Sequence, residues 1–290
     1  MLYVAFALIV YQAVAATYSP SWNARSSKTP EPRTLDGVPT AGRATQAAPE
    51  SLVPDAGAVC DDGEACFERG KAQQRLGKTS RHLARAENLY SIACFSFDHF
   101  GACSMLGYLL KGNDGFETNY EKAVLAFARA CDRGHSASCS DLATLYSRGR
   151  GVARDNKRAA ALYGGACEAG VVFACTNLAA LYAAGEGVTK DLTKAAALRR
   201  RACDGGSALA CHLLGAMYGD GDGVPRDPQR AHALYRRACD GGDGVACYSV
   251  SVGYSLGEGV AKDAQAARLY LSMACELGAM RACTRLGSPE

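Results

Sequence analysis

Apolar positions recur at helical spacing behind a series of cysteines, from about residue 60 to the end of the chain. After Cys139, the positions three, four and seven residues on are Leu142, Ala143 and Tyr146. The same columns hold leucine, a small residue and tyrosine after Cys175 and Cys211. Because this spacing places the three side chains on one face, the pattern predicts an amphipathic helix behind each of these cysteines.

A turn and a second helix follow the first one. The turn reads Gly-x-Gly-Val in four places, and three residues after the valine stands an aspartate such as Asp155. Aspartate is a favoured helix N-cap, because its carboxylate accepts hydrogen bonds from the free backbone N–H groups of the first turn. Beyond it, Ala159, Leu162 and Tyr163 form a second apolar face. The pattern therefore predicts helix pairs.

The helix pair repeats with a period of 36 residues, with one extra residue between Cys94 and Cys103. The leading cysteines of six units are Cys66, Cys103, Cys139, Cys175, Cys211 and Cys247, and each unit closes on a second cysteine 28 residues later, at Cys94, Cys131, Cys167, Cys203, Cys239 and Cys275. Such a repeat is typical of an array in which each unit buries its apolar face against the next. We therefore expect an all-α solenoid of about six helix pairs.

Each closing cysteine and the next leading cysteine flank a corner between two helices. A glycine stands three residues after five of the six closing cysteines, where a helix that turns back needs a left-handed residue, and an alanine usually precedes each cysteine. Chain entropy favours the alternative pairing across 28 residues, whereas the close approach of two helix ends favours the corner. We predict the bridges Cys60–Cys66, Cys94–Cys103, Cys131–Cys139, Cys167–Cys175, Cys203–Cys211, Cys239–Cys247 and Cys275–Cys283.

The terminal units depart from the pattern, as end repeats usually do. The first unit lacks the Gly-x-Gly-Val turn and has His82 at the position of the helix cap. At the other end, Cys283, Leu286 and Gly287 begin a seventh first helix. We interpret these segments as the two caps of the array.

The cysteine content indicates an oxidising compartment. Fourteen cysteines at regular spacing are typical of disulfides in exported proteins, and no C-x-x-C or histidine pair at ligand spacing indicates a metal or haem site. The apolar residues 1–16 contain the A-x-A-like site Ala13-Val14-Ala15 near their end and predict a signal peptide, with an uncleaved anchor as the alternative. The Pro-, Ser- and Thr-rich residues 17–58 predict a disordered linker. Residues 59–290 are then the solenoid of a secreted or periplasmic protein with no membrane span in its mature chain.

Neither the charge nor the motifs indicate catalysis or nucleic-acid binding. The net charge of +3 is spread along the chain, whereas phosphate-backbone binding requires a clustered basic surface. S-x-x-K, S-D-N and K-T-G, the motifs of serine β-lactamases, are absent from the sequence. The five histidines are isolated and are interpreted as surface or capping residues. We expect no catalytic residue, no metal and no cofactor.

The combined columns resemble a known family of repeats. Leading cysteine, leucine with glycine or alanine, tyrosine, Gly-x-Gly-Val, aspartate and closing alanine-cysteine are similar to Sel1-like repeats, which are relatives of the tetratricopeptide repeat. The regular cysteine pairs resemble those of the Helicobacter cysteine-rich proteins, which are often labelled β-lactamase-like. The resemblance implies a right-handed αα solenoid and an adaptor function. It also leaves open weak β-lactam binding or hydrolysis, and a role as an intermembrane-space assembly factor.

By analogy with tetratricopeptide arrays, a partner is expected in a concave groove lined by the first helices. The predicted lining positions are one, five, eight and nine residues after the leading cysteine, and the alternative is that they are ordinary solvated helix surface. They comprise Ser104, Tyr108, Lys111, Ser140, Thr144, Arg148, Thr176, Ala180, His212, Asp220, Tyr248 and Leu256. We expect a monomeric scaffold whose groove binds an extended peptide or a loop of a partner protein.

Overall fold

The computed structural model describes residues 60–77, 79–112 and 117–287, so the expected signal peptide (1–16) and linker (17–58) lie outside the described residues. Within them the chain is all-α, with thirteen helices and no strand. The helices are α1 (Gly63–Leu76), α2 (Ser80–Phe95), α3 (Phe100–Leu110), α4 (Tyr120–Asp132), α5 (Ser136–Arg148), α6 (Asn156–Glu168), α7 (Val172–Ala184), α8 (Leu192–Asp204), α9 (Ala208–Asp220), α10 (Pro228–Asp240), α11 (Gly244–Leu256), α12 (Ala264–Glu276) and α13 (Met280–Gly287).

The helices form a linear array of pairs. Odd-numbered helices are the first helices of the units and even-numbered helices are the second ones, and each helix packs mainly on its predecessor and its successor in the chain. Six pairs are followed by α13, which begins a seventh unit. The predicted solenoid of about six helix pairs is therefore confirmed.

Disulfide bonds close the corners between consecutive pairs. All fourteen cysteines are bridged, in the seven pairs that the corner geometry predicted. At one corner the Cα atoms of Cys131 and Cys139 are 4.7 Å apart. Gly134 has a φ of 83°, and its N–H donates a hydrogen bond to the carbonyl oxygen of Cys131 at 2.8 Å. The left-handed glycine thus reverses the chain within the reach of a short bridge.

Aspartate caps begin four of the second helices. The carboxylates of Asp155, Asp191, Asp227 and Asp263 each accept a hydrogen bond from the backbone N–H three residues on. The prediction of a cap at His82 is wrong, because α2 begins at Ser80 and Thr79 is its N-cap. Without the Gly-x-Gly-Val turn the second helix of the first unit starts three residues early, where the threonine hydroxyl is within reach of the N–H of His82 at 3.4 Å.

The second glycine of each Gly-x-Gly-Val turn lies against the preceding unit. Gly151 has a φ of 68°, and a β-carbon built on it would lie 2.3 Å from the carbonyl carbon of Tyr120, the first residue of α4. Real β-carbons essentially never approach so closely. The turn therefore requires glycine for contact between units as well as for its backbone angle.

The core is built from small residues beside a few large ones. Leu142, Ala143, Ala159 and Tyr163 are 4, 0, 0 and 2 % exposed, which confirms the two predicted apolar faces. The alanines let helices approach closely while leucine and tyrosine fill the space between units. None of the described helices combines the length and the apolar character that crossing a bilayer requires.

Candidate functional site

The predicted groove residues lie on first helices, apart from Lys111, which is the C-cap residue of α3. Three of them are buried. Ser104, Ser140 and Thr176 are 6, 3 and 7 % exposed, so their inclusion among accessible lining residues is wrong. They stand beside the disulfides, where short side chains do not reach past the neighbouring helices. The same column holds the longer side chains of His212 and Tyr248, and both are partly exposed.

Tyr108 and Lys111 belong to a network that joins two units. Lys111 Nζ donates a hydrogen bond to Asp141 Oδ1 on α5 at 2.7 Å, and lies 4.8 Å from the ring centroid of Tyr108. The Tyr108 ring meets Phe127 edge-on with centroids 5.5 Å apart. Burial, followed by the hydrogen bond with Asp141, raises the pKa of the Tyr108 hydroxyl, which stays neutral. The two predicted residues therefore hold α3 against α4 and α5.

Thr144 and Arg148 lie one turn apart on α5 and have different surroundings. Thr144 Oγ1 is 3.0 Å from the carbonyl oxygen of Ser140 and 2.8 Å from the hydroxyl of Tyr163 on α6. Arg148, in the last turn of α5, is exposed. Of the two, Arg148 is the side chain that a partner could contact directly.

His212 contacts Tyr235, a residue that lines a cavity in the last regular units. Its Nδ1 is 3.0 Å from Asp243 Oδ2, and its ring meets Tyr235 edge-on with centroids 5.6 Å apart. The cavity has a volume of about 320 Å³ and lies between α9, α10 and α11. Its walls comprise Gly219, Asp220, Pro228, Ala231, His232, Tyr235, Tyr248, Ser249, Val252, Gly253 and Glu258. The structure thus brings the predicted Asp220 and Tyr248 together around one cavity.

Two carboxylates set the electrostatics of this cavity. Burial, then the charges of Asp220 and Glu258, raises the pKa of the Tyr235 hydroxyl, so the phenol remains protonated. Glu258 Oε1 accepts a hydrogen bond from Arg226 Nη2 at 2.6 Å. Burial, helped by the charge of Arg236, lowers the pKa of His232, which is therefore neutral at pH 7.

Sequence reasoning missed His232, Tyr235 and Glu258, although the repeat frame contains the signal. His232 stands in the second-helix column that holds Ala160 and Ala196 in the two preceding units. Six residues behind Cys247, Gly253 occupies a column that holds leucine or methionine in the four preceding units. His232 is thus a large residue in a column of small ones, and Gly253, which it faces, is a small residue in a column of large ones. This exchange marks the place in the array where the packing differs.

Most of the remaining polar residues have structural partners. His99 and His135 cap α3 and α5, since their Nδ1 atoms accept hydrogen bonds from Ala102 and Ser138 N–H at 3.0 and 3.3 Å. Arg237 Nη2 donates a hydrogen bond of 2.8 Å to the carbonyl oxygen of Cys203, in the preceding second helix. In the part of the chain that the structure describes, no group of His, Cys, Asp or Glu side chains has a metal-binding arrangement.

Comparison with protein-family models identifies the repeat. The Sel1 repeat matches five consecutive segments, which together make up more than half of the chain. The matched residues are 101–135, 136–171, 172–207, 208–243 and 244–278. No curated protein matches the sequence.

Several solved structures are similar to the chain. A protective antigen present in uropathogenic Escherichia coli strains is 26% identical with a TM-score of 0.72, and the match covers 78% of this chain and 48% of that one. The chain thus spans about half the length of that antigen. A Sel1 repeat protein from Oxalobacter formigenes is 25% identical with a TM-score of 0.68, over 76% and 88% of the two chains. The cysteine-rich protein B of Helicobacter pylori is 30% identical over 45% of this chain and 94% of that one, with a TM-score of 0.38.

Proposed function

Because the chain belongs to the Sel1 repeat family, we propose that it is an extracytoplasmic scaffold that binds a peptide or protein partner along its first helices. Sel1 repeat proteins are typically protein-interaction scaffolds. The proposed surface is defined by the partly or fully exposed side chains of α3, α5, α7, α9 and α11 at the predicted positions. We refer to it as the first-helix surface.

The main support for this proposal is that the buried positions of the repeat are constant, whereas the exposed positions of the first helices vary. The buried leucine, alanine and cysteine columns repeat from unit to unit, whereas the exposed ends of the first helices change. The position nine residues after the leading cysteine is Arg148, Ala184, Asp220 and Leu256 in successive units. A surface of cationic, small, anionic and apolar positions at a fixed repeat suits recognition of one extended ligand.

The disulfides support an extracytoplasmic location. All fourteen cysteines are bridged, and disulfide-rich proteins are characteristic of oxidising compartments. The proposed leader, residues 1–16, and the proposed linker, residues 17–58, would export the solenoid and tether it. The mass of the mature protein purified from its native host tests the leader directly, because cleavage at the end of the leader removes residues 1–16.

Crosslinking capture from the native cell envelope, with the full chain as bait, tests the proposed function. The informative variant is Arg148→Ala/Leu256→Ala, which removes one cation and one apolar side chain from the first-helix surface. We expect its capture of the partner to fall about tenfold, because a few exposed anchor residues carry most of the affinity of such interfaces. Thermal unfolding monitored by circular dichroism checks that the variant remains folded.

The matched control is Lys157→Ala/Leu125→Ala, which removes one cation and one apolar side chain from the exposed faces of the second helices α6 and α4. We expect this variant to capture the partner as well as the wild-type chain does. If the control loses capture while Arg148→Ala/Leu256→Ala retains it, the second-helix face is the binding surface and the proposal is wrong.

A further inference from the structure

The cavity between α9, α10 and α11 exists because the small and the large side chain at two facing positions of the repeat are exchanged. One repeat earlier in the chain, the buried Ala196 of α8 and Met217 of α9 occupy the two positions, at 2 and 3 % exposure, and belong to one apolar cluster. Their counterparts are His232 and Gly253, and a β-carbon on Gly253 would lie 2.6 Å from His232 Nδ1. The glycine therefore makes room for the imidazole, and a polar cavity replaces apolar packing.

The cavity is large enough for a long side chain. At about 320 Å³ it offers space equivalent to roughly ten water molecules, at about 30 Å³ each. Tyr235 and Tyr248 supply aromatic walls, and Val252 an apolar one. Aromatic and aliphatic walls suit the methylene stem of an amphipathic side chain, and tyrosine faces also attract a cation.

His232 supplies a buried polar wall. It is 7 % exposed, and neither of its ring nitrogens has a hydrogen-bond partner within the described residues. A buried polar group without a partner is uncommon in a native protein and indicates a place where another group completes the packing. Because the imidazole is neutral, it adds no positive charge to the wall.

The two charged residues that line the cavity are both acidic. Asp220 and Glu258 contribute carboxylates to the wall, while Arg226 is paired with one oxygen of Glu258. Arg236 lies one helical turn beyond His232 and is exposed. Both carboxylates act on the Tyr235 hydroxyl. The cavity therefore favours a positively charged group over an anion.

We propose that this cavity binds the cationic side chain of a lysine or arginine residue in the partner, with Asp220 and Glu258 facing the charge and Tyr235 and Tyr248 flanking the stem. This assignment rests on the proposed function, since the cavity lies where the predicted Asp220 and Tyr248 meet. To the proposed function it adds that one anchor residue of the partner is cationic. Selectivity for this residue would then be set at one junction between two units of the array.

A titration that needs no natural partner tests the assignment. The probe is the tripeptide acetyl-Gly-Lys-Gly-amide, added to the isotope-labelled full chain and followed by the amide resonances of Ser249, Val252 and Gly253. The matched probe has norleucine in place of lysine, which keeps the stem and removes the charge. We expect the lysine tripeptide to shift these resonances and to bind about tenfold more tightly than its neutral twin.

Two variants and one control localise the effect. Asp220→Asn should weaken binding of the lysine tripeptide about tenfold. Asp222→Asn, which removes the same charge from the equivalent of Glu258 one unit earlier, should change it less than about twofold. His232→Ala/Gly253→Met restores the pairing of the preceding unit and should abolish binding. Its folding is checked by an unchanged circular dichroism spectrum.

Several outcomes would overturn the assignment. Equal binding of the lysine and norleucine tripeptides, or equal losses in Asp220→Asn and Asp222→Asn, would show that the cavity does not select a cation. Butylammonium that binds as tightly as the lysine tripeptide would assign the cavity to free amines in place of a peptide side chain. These readouts are independent of partner capture. If the tripeptide does not bind as expected while Arg148→Ala/Leu256→Ala still loses capture of the partner, the assignment of the cavity is wrong and the proposed function stands.

Discussion

Gly187 lies directly against Asn156 of the preceding unit, so closely that a β-carbon on Gly187 would come within 2.2 Å of the Asn156 carbonyl carbon. Its φ of 69° adds a second reason for glycine. We expect Gly187→Ala to destabilise the chain by about 3 kcal/mol or more, because a backbone atom cannot move aside without separating two units. Unfolding in guanidinium chloride measures the change.

Gly206 is the matched control for this substitution. It also has a positive φ, of 94°, but a β-carbon there meets nothing within 4 Å. Gly206→Ala should therefore cost only the strain of a left-handed alanine, about 1–2 kcal/mol. Equal losses in the two variants would mean that the backbone angle alone explains the second glycine of the turn.

Two inter-unit ion pairs are expected to differ in strength. Arg154 and Glu186 meet at 2.6 Å, but their side chains are 59 and 48 % exposed, so Glu186→Gln should cost less than about 1 kcal/mol. Lys111 and Asp141 are 22 and 15 % exposed, and Asp141→Asn leaves the lysine without its anion. We expect a loss of about 1.5–3 kcal/mol for Asp141→Asn. Denaturant unfolding at low and high salt ranks the pairs, and a larger loss for Glu186→Gln contradicts the ranking.

Removal of one corner bridge should have a moderate effect. Cys203 and Cys211 are separated by 8 residues in sequence, and a bridge across so short a loop restricts the unfolded chain by roughly 2–3 kcal/mol. We expect Cys203→Ala/Cys211→Ala to lose about that free energy of unfolding, and to differ little from wild type once both are fully reduced. Peptide mapping without reductant checks the pairing. A dominant link between Cys175 and Cys203 would contradict it.

Stability should depend on pH through His232. Burial, helped by the charge of Arg236, lowers its pKa in the folded state. Unfolded histidine takes up a proton near its ordinary pKa of about 6.5, so the folded state is most stable above that pH and loses stability as the pH falls through it. We expect the thermal unfolding midpoint of the wild-type chain to decrease when the pH is lowered from 8 to 5.5. The decrease should be smaller in His232→Ala/Gly253→Met. An equal fall in the wild-type chain and in this variant would exclude His232 as the titrating group.

The fold could be predicted from the sequence because its pattern is repeated. Each column is sampled several times, so the cap at Asp155 and the corner at Gly134 could be identified from their recurrence without any tertiary information. The first unit contains only one copy of each signal, and there the cap prediction failed. His82 occupied the expected position, but Thr79 is the cap because the preceding turn is missing.

The candidate site was less predictable, because exposure depends on contacts between units. Ser140 and Tyr248 occupy the same column, yet the serine is buried and the tyrosine borders a cavity. Helical periodicity assigns a side chain to a face of its own helix and does not show what the adjacent units cover. The exchange between His232 and Gly253 is visible only when two different columns of adjoining units are compared.

The corner bridges also limit how far the protein can be pulled apart. Each one joins the second helix of one unit to the first helix of the next, so the residues inside a corner add no length to a stretched chain. Between Cys139 and Cys167, a fully extended unit can lengthen to only about 100 Å, at roughly 3.5 Å per residue. A protease cut inside a corner leaves both fragments attached, whereas a cut in a Gly-x-Gly-Val turn separates them. Under tension, each helix hairpin would therefore extend as a separate segment whose length the two flanking corner disulfides limit. Under digestion, fragments cut inside a corner would stay joined by its disulfide.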